Sequence, residues 1–309
     1  VETTYKHHAY FHKQYFEKRE DLIMAKKTIV TAALTGAMTP KELNPYIPLT
    51  PAEIAEDAYN CWKAGAAIVH LHMRDDEGLG TMDKAKFAET VKLIRAHEDC
   101  DVIVNCTSSG SAKPVPAEMR MEHFREIPEI EMGSYDAGTM NWGCGMVFDN
   151  NPKFLEQLSQ CYIDNGVVPE VEIFDMGMLG NAKYYAKKNL LPNPTYFQFV
   201  LGVLGGMEAT IENLQYLVQH LPAGSKWSAF GIGAGHLPIM FAALAMGADG
   251  IRVGLEDNVI MGKDENGKRV LATNVKLVER AVNAVKAFGN EPATPAEARE
   301  ILGIPQLKR

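Results

Sequence analysis

At 309 residues the chain has room for one large core or two small ones, and 46% apolar with 23% charged residues is the composition of an ordinary globular protein. A net charge of −8 without a Lys/Arg cluster argues against a nucleic-acid surface, and no run approaches the roughly 18–20 consecutive apolar residues that span a bilayer, so neither nucleic acid nor membrane is expected as a partner. Five scattered cysteines (Cys61, Cys100, Cys106, Cys144, Cys161) form no disulfide framework and point to reduced thiols in a cytoplasm.

The first 25 residues, opening VETTYKHHAYFHKQYFEKRE, read as an N-terminal extension without the apolar centre of a secretory signal. His7, His8 and His12 read as a solvated arm. The aromatics Tyr5, Tyr10, Phe11, Tyr15 and Phe16 reach either a neighbouring subunit or the underside of their own barrel.

From residue 26 the pattern becomes regular. Eight apolar runs of strand length follow: KKTIVTAAL (26–34), AAIVHLH (66–72), DVIVNC (101–106), EIEMGS (129–134), VPEVEIFD (168–175), YFQFVLG (196–202), KWSAFG (226–231) and DGIRVG (249–254). Few polar residues interrupt them, as expected for parallel strands buried on both faces. Helical patterns lie between, over 49–65, 83–98, 151–166, 210–221, 237–248, 273–289 and 294–303. The first opens with Thr50 as N-cap, Pro51 in the first turn and Glu53 closing a capping box, and Thr-Pro-x-Glu returns at 294–297. Eight strand–helix units without a dividing linker predict a TIM (β/α)8 barrel, one catalytic domain over 26–309. A doubly wound sheet is the runner-up, but no GxGxxG follows the first strand.

Chemistry in such a barrel gathers at the C-terminal ends of the strands. Residues i and i+2 of a strand share a face, so His70 and His72 in IVHLHMRDD point together into the mouth. RVGLEDN brings Arg252, Glu256 and Asp257 to the end of strand eight, which closes against strand one, itself the neighbour of strand two. Two imidazoles and one carboxylate with an open position are a catalytic Zn2+ pattern. Amidohydrolase-type barrels carry their HxH on strand one with further histidines on strands five and six. Here the pair is on strand two, and 168–175 and 196–202 hold no histidine. Cys106 has no paired base in the sequence and reads as packing. The Gly-rich loop after strand seven, with Gly233 and Gly235, lies where many barrels hold a phosphate and is a candidate coenzyme contact.

VHLHMRD, NCTSSG (105–110), PEVEIFDMG (169–177), GIGAGH (231–236) and above all RVGLEDN (252–258) resemble the β-keto acid cleavage enzyme family, over about Thr28 to Leu302. The resemblance implies Zn2+ held by His70, His72 and Glu256. It also implies an acyltransferase that condenses a β-keto acid with acetyl-CoA and releases acetoacetate and a new acyl-CoA. Asp257 is then the base for a C2 proton, with Arg252 orienting it or neutralising the anionic intermediates. Thr107 and Ser108 resemble the hydroxyl-bearing turn that meets the substrate carboxylate, although ordinary turn capping explains them as well. Asn141 in GTMNWG resembles a family contact. Met38 stands where aminohexanoate-cleaving members place an acid opposite the substrate ammonium, so a neutral or apolar acyl chain without a 5-amino group is expected. Family members also imply a homo-oligomer, a tetramer. A metal-dependent hydrolase using the same site is the alternative, separable by CoA dependence; a binding or sensor barrel would not need Asp257 and Arg252 beside the metal.

Overall fold

The computed structural model describes residues 25–307 except 112 and 144. Residues 1–24 of the N-terminal extension and Cys144 therefore lie outside the described residues. Eight parallel strands close a barrel: β1 (Lys27–Ala33), β2 (Ile68–Leu71), β3 (Ile103–Cys106), β4 (Met132–Asp136), β5 (Val168–Ile173), β6 (Tyr196–Leu201), β7 (Lys226–Gly231) and β8 (Gly250–Val253). Each pairs with its sequence neighbour, and β8 returns to β1 through Thr31↔Arg252 and Ala32↔Val253. The expected (β/α)8 barrel is what the chain forms.

The helices wrapped around it are α1 (Pro51–Lys63), α2 (Lys84–Arg95), α3 (Glu122–Glu126), α4 (Pro152–Asn165), α5 (Met176–Lys187), α6 (Ile211–Gln219), α7 (His236–Ala245) and α8 (Asn274–Ala287). A ninth, α9 (Pro295–Leu302), lies at the other end of the chain from β1 but packs Ala298 with Ile29, Ile68, Ile103 and Met132. The capping boxes form as read: Thr50 with Glu53 on α1 and Thr294 with Glu297 on α9. Each is worth about 1 kcal/mol. Helix α1 buries Ile54, Ala55, Ala58 and Cys61, and a fully buried Ile or Phe contributes roughly 1.5–3 kcal/mol.

The differences are local. Strand β4 begins three residues later than 129–134 suggests, because Ile130 N–H turns back to the Ile127 carbonyl before the strand starts. Helix α3 is five residues long and α5 contains two glycines, so neither carries a strong periodic signal. Three antiparallel hairpins, Met73–Thr81, Met140–Phe148 and Ile260–Leu271, rise from the loops after β2, β4 and β8. Among the described residues no helix is long and apolar enough to cross a membrane.

Candidate active site

A cavity of about 370 Å3 opens at the C-terminal ends of the strands, within the size range of small-molecule sites. One wall is polar and holds His70, His72, Thr107, Asp136, Glu172, Arg252, Glu256 and Asp257. The other is apolar: Met38, Trp142, Met146, Phe148, Phe174, Val203 and Leu204.

His70 is the penultimate residue of β2 and His72 lies just past its end, their rings 5.1 Å apart. His72 Nε2 lies 3.4 Å and His70 Nε2 3.9 Å from Glu256 Oε1. Neighbouring donors on a tetrahedral ion with bonds of about 2.0–2.1 Å stand roughly 3.3 Å apart, so the three side chains are spaced to share one ion. Glu256 Oε2 is also buried without a hydrogen-bond partner, which a buried polar atom tolerates poorly. Burial holds the His70 imidazole well below its usual pKa, against Glu256, leaving the neutral form a metal needs. Burial works against ionising Glu256, but His72, Arg252 and His70 outweigh it and hold the carboxyl well below its usual range. The donor set fits a divalent cation. A deeper trio, His70, Glu170 and Glu172, also places donors within 4.8 Å of one another. There Glu170 already accepts from Asn105 and Glu172 from Arg252.

Main-chain geometry sets Glu256 and Asp257 in place. Gly254 has φ +147°, and a Cβ there would stand 1.9 Å from the Ala33 carbonyl oxygen. Only glycine allows β8 to pass β1 so closely. Asn274, buried at the start of α8, accepts from Leu255 N–H and donates to the Leu34 carbonyl, tying the ends of β8 and β1 together. Arg252 then forks onto Asp257, 3.0 Å from Nε and 2.9 Å from Nη2. It also reaches Glu256 at 2.6 Å and Glu172 at 3.2 Å, and its guanidinium lies over the Phe230 ring. The expected pairing of Arg252 with Asp257 is present. One guanidinium serving three carboxylates leaves negative charge in excess. Burial accordingly pushes Asp257 up to about 6, Glu170 up to about 7 and Glu172 well above the carboxylate range. A bound dication would offset that excess.

Four of the expected contacts are not among the residues lining the cavity. Thr107 lines the cavity, with its hydroxyl on Ser109 and its carbonyl held by His123 Nε2. Ser108 does not line it: its hydroxyl donates to the Ser134 carbonyl and its N–H to Ser134 Oγ, so Ser109 takes the place at the wall. Asn141 is exposed on its hairpin, and the adjacent Trp142 faces the cavity instead, edge-on to Phe148 and Phe174. Gly233 and Gly235 also lie outside the cavity lining. Their N–H groups are spent on the carbonyls of Asp257 and Ile232, and a Cβ on Gly235 would stand 2.3 Å from that of Ala209. The loop braces Asp257 and packs against Ala209. Met38 is exposed and lines the cavity. Glu170 and Glu172 escaped the sequence reading, although two glutamates at i and i+2 in a buried strand are the same signal as the histidine pair.

The chain matches the family model described as beta-keto acid cleavage enzyme over residues 27–304. It is 39% identical to a 3-keto-5-aminohexanoate cleavage enzyme of Fusobacterium nucleatum, over 91% of this chain and 99% of that protein. It is 35% identical to a 3-dehydrocarnitine:acetyl-CoA trimethylamine transferase of Rhizobium meliloti, over 92% of this chain and 98% of that one. A solved binary complex of ObcA with oxaloacetate superposes with a TM-score of 0.77 at 24% identity, covering 84% of this chain and 68% of that one, and shows the shared barrel. With the match running from the first barrel strand to the end of α9, the chain belongs to the beta-keto acid cleavage enzyme family and is an acyltransferase of that kind.

Proposed function

We propose that the protein uses Zn2+ to condense a β-keto acid lacking a 5-amino group with acetyl-CoA, giving acetoacetate and a new acyl-CoA. The observation that carries this reading is the spacing of His70, His72 and Glu256 beside the Arg252–Asp257 pair in one cavity. When bound, the ion would polarise the keto acid and acidify its C2 protons. Asp257, fixed by the Arg252 fork, takes a C2 proton. The C2 carbanion attacks the acetyl carbonyl and expels CoA thiolate. Arg252 offsets the negative charge carried through these steps. CoA thiolate then adds to the original ketone carbon, the bond from that carbon to C2 breaks, and Asp257 returns its proton to C2 of the departing acetoacetate. Thr107 is read as the substrate-carboxylate contact. The acyl chain is assigned to the apolar wall, where Met38 offers a thioether and no charge to an ammonium.

Four described cysteines are free and buried, which supports a reducing cytoplasm. Exposed Leu237 and Phe241 on α7 support a homo-oligomer, read as a tetramer. The catalytic unit is assigned to 26–309, with 1–25 as an extension.

The test is direct. Zn-loaded protein incubated with acetyl-CoA and a panel of β-keto acids should yield acetoacetate and a new acyl-CoA by mass spectrometry, with apolar chains turned over best. Keto acid consumed equally well without CoA would replace this reading with the hydrolase. Preference for a 5-amino substrate would overturn the role given to Met38.

A further inference from the structure

The arginine that follows the two histidines has no part in the chemistry above, yet Arg74 is buried to within 2% of full enclosure. Its guanidinium binds carbonyls alone. Nε donates to Gly36 at 2.6 Å, Nη1 to Gly78 at 2.7 Å, and Nη2 to Thr35 at 3.1 Å and Thr39 at 2.8 Å. Three of these four acceptors belong to the five-residue stretch Thr35–Thr39 that carries Met38. The fourth belongs to the Met73–Thr81 hairpin on which Arg74 itself sits.

The two segments also meet by close packing. A Cβ on Gly80 would stand 2.8 Å from the Ala37 Cβ, and a Cβ on Gly36 would stand 2.7 Å from Glu256 Cγ. The hairpin, the Met38 loop and Glu256 therefore stack as one layer with Arg74 inside it. Charge-assisted hydrogen bonds are roughly twice as strong as neutral ones, and a planar fork can serve several diverging acceptors that a lysine ammonium cannot reach together.

We propose that Arg74 is a positioning residue that sets acyl-chain specificity by locking the Met38 loop over the cavity. The proposal builds on the β-keto acid reading for its substrate, but its first readout does not need turnover. Arg74→Lys, assayed by hydrogen exchange, should show amides 36–43 exchanging at least about tenfold faster while those of β2 and β3 are unchanged. In the cleavage assay Arg74→Lys should raise KM for the preferred keto acid about tenfold with kcat changed less than threefold, and flatten the ranking among chain lengths, with metal content per chain unaltered. Met38→Ala should shift that ranking in the parent and leave it nearly unmoved in the Arg74→Lys background, because the pair acts as a unit. Gly80→Ala, which presses on Ala37 without touching the cavity, should reproduce the flattened ranking and keeps the question open to test if Arg74→Lys does not fold. Unchanged loop exchange in Arg74→Lys, or an intact chain-length ranking in both variants, overturns the assignment. A parent enzyme that makes no acyl-CoA sinks the cleavage reading, and the exchange experiment still judges the loop.

Discussion

The two ends of the barrel handle buried charge in opposite ways. At the floor, two guanidiniums share one carboxylate: Arg299 grips both oxygens of Glu131 at 2.6 and 2.9 Å, and Arg95 adds a third contact at 3.0 Å. Arg299 Nη2 and Arg95 Nη1 also donate to the main-chain carbonyls of Asp101 and Val102, while Arg95 Nε is buried without a partner. At the mouth, one guanidinium faces three carboxylates, Glu172, Glu256 and Asp257, with Glu170 below and Asp136 opposite Glu172 across the β4–β5 register. Both are buried ion clusters, and burial penalises both. At the floor both guanidiniums bond to the one carboxylate and to main-chain carbonyls, with no acid left unpaired, so its product is stability. At the mouth acid is in excess, and the imbalance is what makes it ready for a cation and an anionic substrate.

The largest expected effects come from breaking the mouth. His70→Ala or Glu256→Gln should lose the metal and at least about a thousandfold in acyl-CoA formation, read by metal content per chain together with product yield. Retained metal with retained activity in either variant would remove the assigned ligands. Asp257→Asn separates the base from the metal. It should keep one ion per chain and lose about 10^2–10^4 in kcat. A loss of metal in this variant would instead place Asp257 among the ligands. Chelation of the parent enzyme should abolish turnover and lower Tm, because the crowded carboxylates lose the cation that balances them. An unchanged Tm would mean that protonation alone relieves the mouth.

The floor should answer the same treatment with stability and not chemistry. Arg299→Met leaves Glu131 with Arg95 alone and should cost about 3 kcal/mol, measured by denaturant unfolding, while metal content and kcat per folded molecule hold. A drop in kcat without a drop in stability would erase the contrast between the two ends.

How much of this was legible beforehand follows the same division. Long-period features were readable: runs such as TIVTAAL and VIVNC announce buried parallel strands, and an i, i+2 pair of histidines keeps its meaning wherever the strand ends. Features that turn on one residue of backbone direction were not. Ser108 and Ser109, or Asn141 and Trp142, exchange roles because a loop or hairpin rotates successive side chains to opposite sides. The GxGxG loop is a related case. Its glycines mark tight backbone, but whether the N–H groups are free depends on the partners that folding brings, here the carbonyls of Asp257 and Ile232. The acid excess was present in the letters PEVEIFD and in LEDN, yet its force comes from all these groups converging on Arg252.

The smallest effect concerns an acid behind the mouth that neither cluster serves. Asp57 on α1 accepts one hydrogen bond, from Asn274, the residue that ties Leu255 to Leu34. Burial, only partly relieved by Asn274, pushes its carboxyl up to about 6 from 3.8. The folded protein therefore binds more protons than the unfolded chain between those values, so this residue's contribution is most favourable at low pH and is lost as pH rises through about 6. Asp57→Asn removes the charge and leaves a carbonyl to accept from Asn274. It should stabilise the protein by about 1–2 kcal/mol near pH 7.5 after allowance for partial exposure, and by about 1 kcal/mol less near pH 4.5. Equal effects at both pH values would show that Asp57 ionises without cost and that the excess of acid is confined to the cavity itself.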